Sequence, residues 1–307
     1  MGSFSFAKAF TSLHTSILIK SRRDIVKRIM LFTILSLVVV NAISTVVHAN
    51  EQREDDFMQI VKSFMPSNSS LINPDKPVST KSIQFYDFNN DGQKEIIFTF
   101  EIKGKEQPVP SQFGAIILKK DQTGWHKVME TITKGVSLDF SSLKDITGDG
   151  IKEYLFGVTI GAASGSELDV YQWSDTSFKK IANIPYHKMD VSNGNQNSAL
   201  AVWQLYIGDS YLVDVPKWNG KKLAYDEASY TKYYPKIENF YYNKISQMDA
   251  WFYWYCLADA QIKANKLENA YYSIQKGIAL AKRLDVQDAI QDFEELVKKL
   301  EQKKNKQ

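Results

Sequence analysis

The sequence predicts a mainly β repeat domain of about three units, followed by a C-terminal α-helical hairpin. Three observations lead to this prediction. Two nine-residue acidic segments nearly repeat each other, runs of β-branched and aromatic residues alternate with turns from Ser82 to about Tyr225, and a helical period begins at Trp251. The 307 residues allow about two domains, and a hydrophobic content of 44% is ample for a packed core.

The two acidic segments, loop 1 (Asp87–Glu95, DFNNDGQKE) and loop 2 (Asp145–Glu153, DITGDGIKE), share the pattern Asp-x-Asn/Thr-x-Asp-Gly-x-x-Glu and start 58 residues apart. Oxygen side chains at positions 1, 3, 5 and 9, with a Gly at position 6 for a sharp turn, suit Ca²⁺, which takes about six to eight oxygens. The carbonyl oxygen of position 7 adds a further ligand. The predicted ligands are Asp87, Asn89, Asp91, Gln93 and Glu95 in loop 1, and Asp145, Thr147, Asp149, Ile151 and Glu153 in loop 2.

A plain turn is the alternative interpretation of these loops, because Asn-Asp-Gly forms turns without any metal. Three carboxylates within nine residues repel one another unless a cation neutralises them, and the recurrence of the whole pattern favours the metal interpretation. Thr147 supplies a neutral hydroxyl where the pattern prefers Asp or Asn. We therefore expect loop 2 to be the weaker calcium site.

Each loop leads directly into an apolar run, Ile96–Phe100 after loop 1 and Tyr154–Val158 after loop 2. Such a loop is not an EF-hand, whose last Glu is at position 12 and which is flanked by helices. It resembles the calcium loops of FG-GAP/VCBS repeats, the integrin-α-like β-propeller units, over roughly the middle half of the chain. The resemblance implies Ca²⁺ as the cofactor and a recognition role.

Each repeat is expected to contain an acidic loop, its strand and then a hairpin. A third unit, Ser210–Ala228, keeps the hairpin, with a strong turn signal at Asn219-Gly220, but has lost the acidic loop. Three units are fewer than the four or so blades of a closed propeller. The resemblance therefore predicts a partial β-propeller whose open edge is covered by the flanking helices or by another chain.

From Trp251 the sequence resembles one motif of the tetratricopeptide repeat (TPR) family, with Asn265 at the turn between two helices. A further helix after Asp285 could cap the hairpin. The motif positions are Trp254, Leu257, Ala258, Ala270, Ile274 and Gly277.

An N-terminal signal peptide or transmembrane helix is predicted for residues 1–49. A basic cluster precedes an uncharged run from Ile29 to Val47, and a small-residue cleavage pattern ends at Ala49. The 19 residues of this run are also enough to span a bilayer as an uncleaved anchor. We therefore expect a secreted or cell-envelope protein, starting at Asn50 if the signal is cleaved.

The remaining boundaries follow from composition. Residues 50–81 are expected to form a short helix and a proline-containing linker, residues 82–228 the β-repeat domain, and residues 229–307 the TPR-like helical region. The single cysteine, Cys256, rules out an intramolecular disulfide. Bound Ca²⁺ would be another source of stability for an exported chain.

The net charge argues against nucleic-acid binding, and the scarcity of catalytic groups favours a binding role over an enzyme. Residues 1–49 carry six Lys or Arg and one Asp, which is a net charge of +5. Because the whole chain has a net charge of +3, the remaining residues carry about −2, and we expect no basic surface for nucleic acid. We expect a calcium-binding interaction or adaptor protein of the cell envelope with no catalytic activity of its own. Its partner would be another protein or an envelope glycan. The alternative is an envelope hydrolase that acts on glycan or peptide through acid–base carboxylates.

Overall fold

A computed structural model describes residues 56–104, 110–192 and 198–306 of the chain. The chain divides into two units after Phe64. In the first unit, residues 56–64 are helical (α1), as their amphipathic pattern predicts. The predicted signal or anchor, residues 1–49, lies outside the described residues. Among the residues that are described, no helix has the length and apolarity to cross a membrane.

The second unit, Met65–Gln307, begins with antiparallel β-sheets. Its strands are β1 (Ser69–Leu71), β2 (Ile83–Tyr86), β3 (Glu95–Ile102), β4 (Ser111–Asp121), β5 (Gly124–Gly135), β6 (Ser137–Lys144), β7 (Glu153–Gly161), β8 (Gly165–Ser174), β9 (Ser177–Tyr186), β10 (Lys188–Ser192), β11 (Ala199–Leu205), β12 (Tyr211–Asp214), β13 (Pro216–Trp218) and β14 (Leu223–Tyr225).

The first two sheets have the same plan. In the first sheet, β1 and β2 share one edge of β3, and β4 and β5 follow in order. The second sheet has the order β6-β7-β8-β9. Each therefore contains an outer strand, an acidic loop, an inner strand and a hairpin, which confirms the predicted order of elements. The sheets are open and do not close into a barrel.

The third unit differs from its prediction. The Asn219-Gly220 turn does connect two paired strands, β13 and β14. The preceding strand β12, however, pairs with β11 in a separate three-stranded sheet, β10-β11-β12. Pro216 at the start of β13 has no backbone N–H for a ladder. The third unit is therefore divided into a sheet and a short hairpin.

The first three sheets pack face to face in chain order, and the inner strand of the second sheet, β7, is buried on both faces. On β7, Tyr154 and Phe156 belong to a core shared with the first sheet, whereas Leu155 belongs to a core that also contains Leu200 and Val202 of the third sheet. Successive residues of a strand point to opposite faces. A run that is apolar on both faces therefore places the second sheet between the first and the third.

The C-terminal region contains four helices within the described residues: α2 (Glu227–Gln247), α3 (Trp251–Lys263), α4 (Leu267–Arg283) and α5 (Gln287–Lys304). Helix α2 lies mostly within residues 229–307, which were expected to be helical, but before the helical period that begins at Trp251, and it contains Pro235. Its start is well defined, because the Asp226 carboxylate accepts a hydrogen bond from the Ser229 N–H at 2.8 Å.

Helices α3 and α4 form the predicted hairpin, and Asn265 in the turn has a positive φ of 60°. The six motif positions are buried, as expected for residues that hold a helix pair together. Gly277 shows why one of them has no side chain. A Cβ there would lie 2.0 Å from Cζ of Phe293, so glycine lets α5 pack directly on α4.

The helical region packs on the third sheet, and the two share one hydrophobic core. The Tyr241 hydroxyl on α2 accepts a hydrogen bond from the Tyr211 N–H at 2.9 Å and donates one to the Tyr211 carbonyl. The Tyr230 hydroxyl donates to the Val213 carbonyl at 3.2 Å. Both tyrosines are fully buried, so they satisfy backbone groups of β12 that water cannot reach.

We predict that Tyr241→Phe lowers the free energy of unfolding by about 1–3 kcal/mol, because it leaves buried backbone groups of Tyr211 unsatisfied. Urea denaturation followed by circular dichroism measures the change. The control is Tyr242→Phe, since the neighbouring Tyr242 side chain is exposed. Equal denaturation midpoints for the two variants would contradict this account of the interface.

Candidate metal-binding loops

The two acidic loops occupy equivalent places in the first two sheets. Loop 1 joins β2 to β3, and loop 2 joins β6 to β7. In both, the position-9 Glu is the first residue of the inner strand and pairs with the last residue of the outer strand, Tyr86 with Glu95 and Lys144 with Glu153. The sequence repeat is therefore also a repeat in structure.

The first Asp of each loop holds the turn by accepting backbone hydrogen bonds. Asp87 accepts from the N–H groups of Asp91 and Gly92 at 3.2 and 2.9 Å. Asp145 accepts from those of Gly148 and Gly150 at 2.6 and 3.1 Å. The position-6 glycines have positive φ angles of 82° and 89°, which explains why this position is glycine in both loops.

Positions 5 and 7 are linked in the same way in both loops. Asp91 Oδ1 accepts from the Gln93 N–H at 2.8 Å, and Asp149 Oδ1 accepts from the Ile151 N–H at 2.8 Å. These contacts form Asx-type turns, which do not themselves require a metal. The second oxygen of each Asp remains directed to other partners.

The position-9 glutamates are buried and face the backbone of their own loops. Glu95 Oε2 accepts from the Phe88 N–H at 2.9 Å, and Glu153 Oε2 accepts from the Ile146 N–H at 2.7 Å. Glu95 is 1% exposed and Glu153 is 0% exposed. Each carboxylate therefore ties the start of an inner strand to position 2 of the loop.

Position 2 is a buried apolar residue in both loops, and it anchors the loop to the neighbouring layer. Phe88 of loop 1 packs edge-on against Phe178 of β9, with ring centroids 4.7 Å apart. Ile146 of loop 2 belongs to the core between the second and third sheets. The hydrogen bond that each position-9 Glu accepts thus also fixes a core residue.

Position 3 differs between the loops. The Asn89 side-chain amide donates to Asp91 Oδ2 at 2.8 Å, while Asn89 Oδ1 is buried and has no hydrogen-bond partner among the described residues. In loop 2 the Thr147 hydroxyl donates to Glu153 Oε1 at 2.9 Å. An unpartnered buried oxygen is costly, so loop 1 holds an oxygen that a cation would satisfy.

The largest difference is a lysine. Lys119 Nζ on β4 donates to Asp91 Oδ2 at 2.7 Å and to Glu95 Oε1 at 3.0 Å. In loop 2 the equivalent of Lys119 is Gln172 of β8, because the register of β8 on β7 matches that of β4 on β3. The Gln172 Nε2 lies 3.4 Å from Asp149 Oδ2. A positive charge in loop 1 is therefore replaced by a neutral amide in loop 2.

The pKa values of the loop carboxylates reflect the presence of Lys119 in loop 1 and its absence from loop 2. Hydrogen bonds from Lys119, Asn89 and the Gln93 N–H lower the pKa of Asp91 to about 2. Partial burial disfavours the charged form of Lys119, but its hydrogen bonds to Asp91 and Glu95 outweigh burial and raise the pKa of the ammonium. In loop 2, burial raises the pKa of Glu153 despite its hydrogen bonds from Ile146 and Thr147.

The two loops therefore fit a divalent cation to different degrees. Within the residues that the structure describes, no three His, Cys, Asp or Glu side chains converge as a metal-binding group. Loop 1 has the oxygen atoms for a cation but already contains an ammonium. Loop 2 has carboxylates at Asp145 and Asp149. Among the residues that the structure describes, the ion pairs to the two loops are those of Lys119 with Asp91 and Glu95, both in loop 1.

Cys256 is a buried structural thiol. It is 2% exposed, and burial raises the pKa of the thiol to about 12, which leaves it unreactive at neutral pH.

Sequence reasoning missed Lys119 and assigned Glu95 and Glu153 only as metal ligands. The signal for Lys119 lay in the hairpins that follow the loops. Aligned on their turns, the hairpins place Lys119 at the same distance from the first turn as Gln172 is from the second. No spacing within the nine-residue pattern indicates it.

No model of a known protein family matches the chain. A search of curated proteins likewise finds no match. The resemblance to FG-GAP/VCBS and tetratricopeptide repeats therefore depends on the sequence motifs alone.

Proposed function

We propose that this chain is an exported, calcium-binding interaction or adaptor protein of the cell envelope, with no catalytic activity of its own. Its β part would be a partial, FG-GAP/VCBS-like propeller of about three units, and α3 and α4 a TPR-like hairpin. The observation that carries the proposal is the repetition of loop 1 in loop 2, in which positions 1, 5 and 9 accept the same hydrogen bonds from the N–H groups of positions 6, 7 and 2.

Calcium binding is proposed first for loop 2. Asp145 and Asp149 both lie in this exposed turn, and the Thr147 hydroxyl can offer a lone pair because it uses its proton on Glu153. The backbone carbonyl of Ile151 would complete the predicted set. Hard oxygen ligands and net negative charge are what Ca²⁺ requires. This reverses the order of affinities expected from the sequence, where Thr147 made loop 2 the weaker site.

The interaction role draws support from the surface of the helical region. Tyr271 and Tyr272 on α4 and Tyr242 on α2 each expose about half of their side chains. Tyrosine is enriched at protein interfaces, since it combines a large apolar ring with a hydroxyl group. Another protein or an envelope glycan is the partner that we propose for this surface.

The hydrolase alternative would need carboxylates free to exchange protons near neutral pH. Outside the two loops, each buried carboxylate among the described residues forms an ion pair with a lysine. The pairs are Asp139 with Lys76, Asp169 with Lys180, and Asp259 with Lys263. These carboxylates give the alternative no support.

Export is proposed from residues 1–49, outside the described part of the chain. The basic cluster, apolar run and Ala49 cleavage pattern predict that the exported form begins at Asn50. Intact-mass measurement of the protein recovered outside the cytosol tests this, with retention at full length in the membrane indicating an uncleaved anchor. A full-length cytosolic product would refute export.

We predict that calcium stabilises the purified protein by about 2.7 kcal/mol when free Ca²⁺ is 100-fold above its Kd, because the ion binds the folded state alone. Thermal melts in EDTA and in millimolar CaCl₂ measure the shift. Asp149→Asn should remove most of it, since it weakens a charged ligand of loop 2.

The matched control is Asp288→Asn, an exposed acidic residue in the first turn of α5. It changes the net charge equally but should keep the full calcium shift. Coincident wild-type melts in EDTA and CaCl₂, together with no heat of calcium binding, would rule out the calcium proposal.

A further inference from the structure

We infer that the Lys119 ammonium is the cation of loop 1 and excludes a divalent metal from it. Calcium would then bind at loop 2 only, and this second statement rests on the proposed function. Lys119 and Gln172 thus decide which of two nearly identical loops takes a metal.

The position of the ammonium is incompatible with a metal bound to the same oxygens. Lys119 Nζ contacts Asp91 Oδ2 at 2.7 Å and Glu95 Oε1 at 3.0 Å, and these groups are the predicted ligands at positions 5 and 9. A calcium ion bound to Asp91 Oδ2 at about 2.4 Å would lie within about 5 Å of the ammonium. Like charges at this distance repel strongly in a partly buried site.

The ammonium is also well suited to its place. Its side chain is 17% exposed, and the Glu95 carboxylate that it contacts is 1% exposed. A buried carboxylate is stable in its charged form only when it is paired and hydrogen-bonded. Lys119 completes the pairing of Glu95, whose other oxygen accepts the Phe88 N–H. Glu95 therefore needs no external cation.

The repeat supplies the comparison. Loop 2 shares the hydrogen bonds from the N–H groups of positions 2, 6 and 7. Continuing the register of β7 with β8 by one residue puts Gln172, which carries no charge, opposite Glu153. In loop 2 the second Glu153 oxygen is satisfied by the Thr147 hydroxyl instead. Loop 1 keeps one unsatisfied buried oxygen, Asn89 Oδ1. Removing the ammonium would leave that oxygen and the Asp87 and Asp91 carboxylates to receive a metal.

The test exchanges the two residues. Isothermal titration of the purified protein with CaCl₂ should give one ion per chain for the wild type, two for Lys119→Gln and none for Gln172→Lys. In EDTA, Lys119→Gln should also lower Tm by about 3–6 °C, because Glu95 loses its charged partner. Calcium should recover part of that loss.

Two controls carry the same charge changes. Lys120→Gln alters the exposed neighbour of Lys119, and Thr176→Lys adds a lysine in the exposed β8–β9 turn. Neither should change the calcium stoichiometry, and Lys120→Gln should melt like the wild type in EDTA.

Three results would overturn the inference. The first is that the wild type binds two calcium ions. The second is that Lys119→Gln and Lys120→Gln have the same Tm in EDTA. The third is that Lys119→Gln binds no additional calcium ion although loop 2 binds one. A wild type that binds no calcium, with the Lys119→Gln loss of Tm in EDTA preserved, would refute calcium binding as the proposed function and leave Lys119 as the cation of loop 1.

Discussion

Both repeats depend on a carboxylate buried where an inner strand begins. A charged group in that position must be fully hydrogen-bonded or neutralised, because the interior cannot replace the lost water. Glu95 and Glu153 meet this requirement with the backbone N–H of position 2 and one further partner. The loop must therefore fold back over the strand, and the glycine at position 6 allows it to do so.

This hydrogen bond also connects the loops to the core. The N–H that each glutamate accepts belongs to a buried apolar residue, Phe88 or Ile146, that packs into the next layer. Loop geometry, strand start and sheet packing are thus linked through one contact in each repeat. The further partner is where the repeats diverge, an ammonium in loop 1 and a hydroxyl in loop 2, so that similar folds carry different net charge.

The sequence predicted those features that depend on local pattern. Hairpins, loop-to-strand order and the buried positions of α3 and α4 follow from periodicity and turn residues. It did not predict α2 as a separate long helix, because the helical period begins only at Trp251, or the pairing of β12 with β11, which depends on tertiary contacts. Lys119 was missed because its contact with Glu95 joins residues far apart in sequence, and only strand register brings them together.

A crystal structure of the protein grown with a calcium substitute such as Tb³⁺, with anomalous difference maps, tests this account most directly. We expect an anomalous peak in loop 2 beside Asp145 and Asp149, and an ordered Lys119 Nζ in contact with Asp91 and Glu95 in loop 1. A peak in loop 1 between Asp87 and Asp91, with the Lys119 side chain displaced, would contradict it.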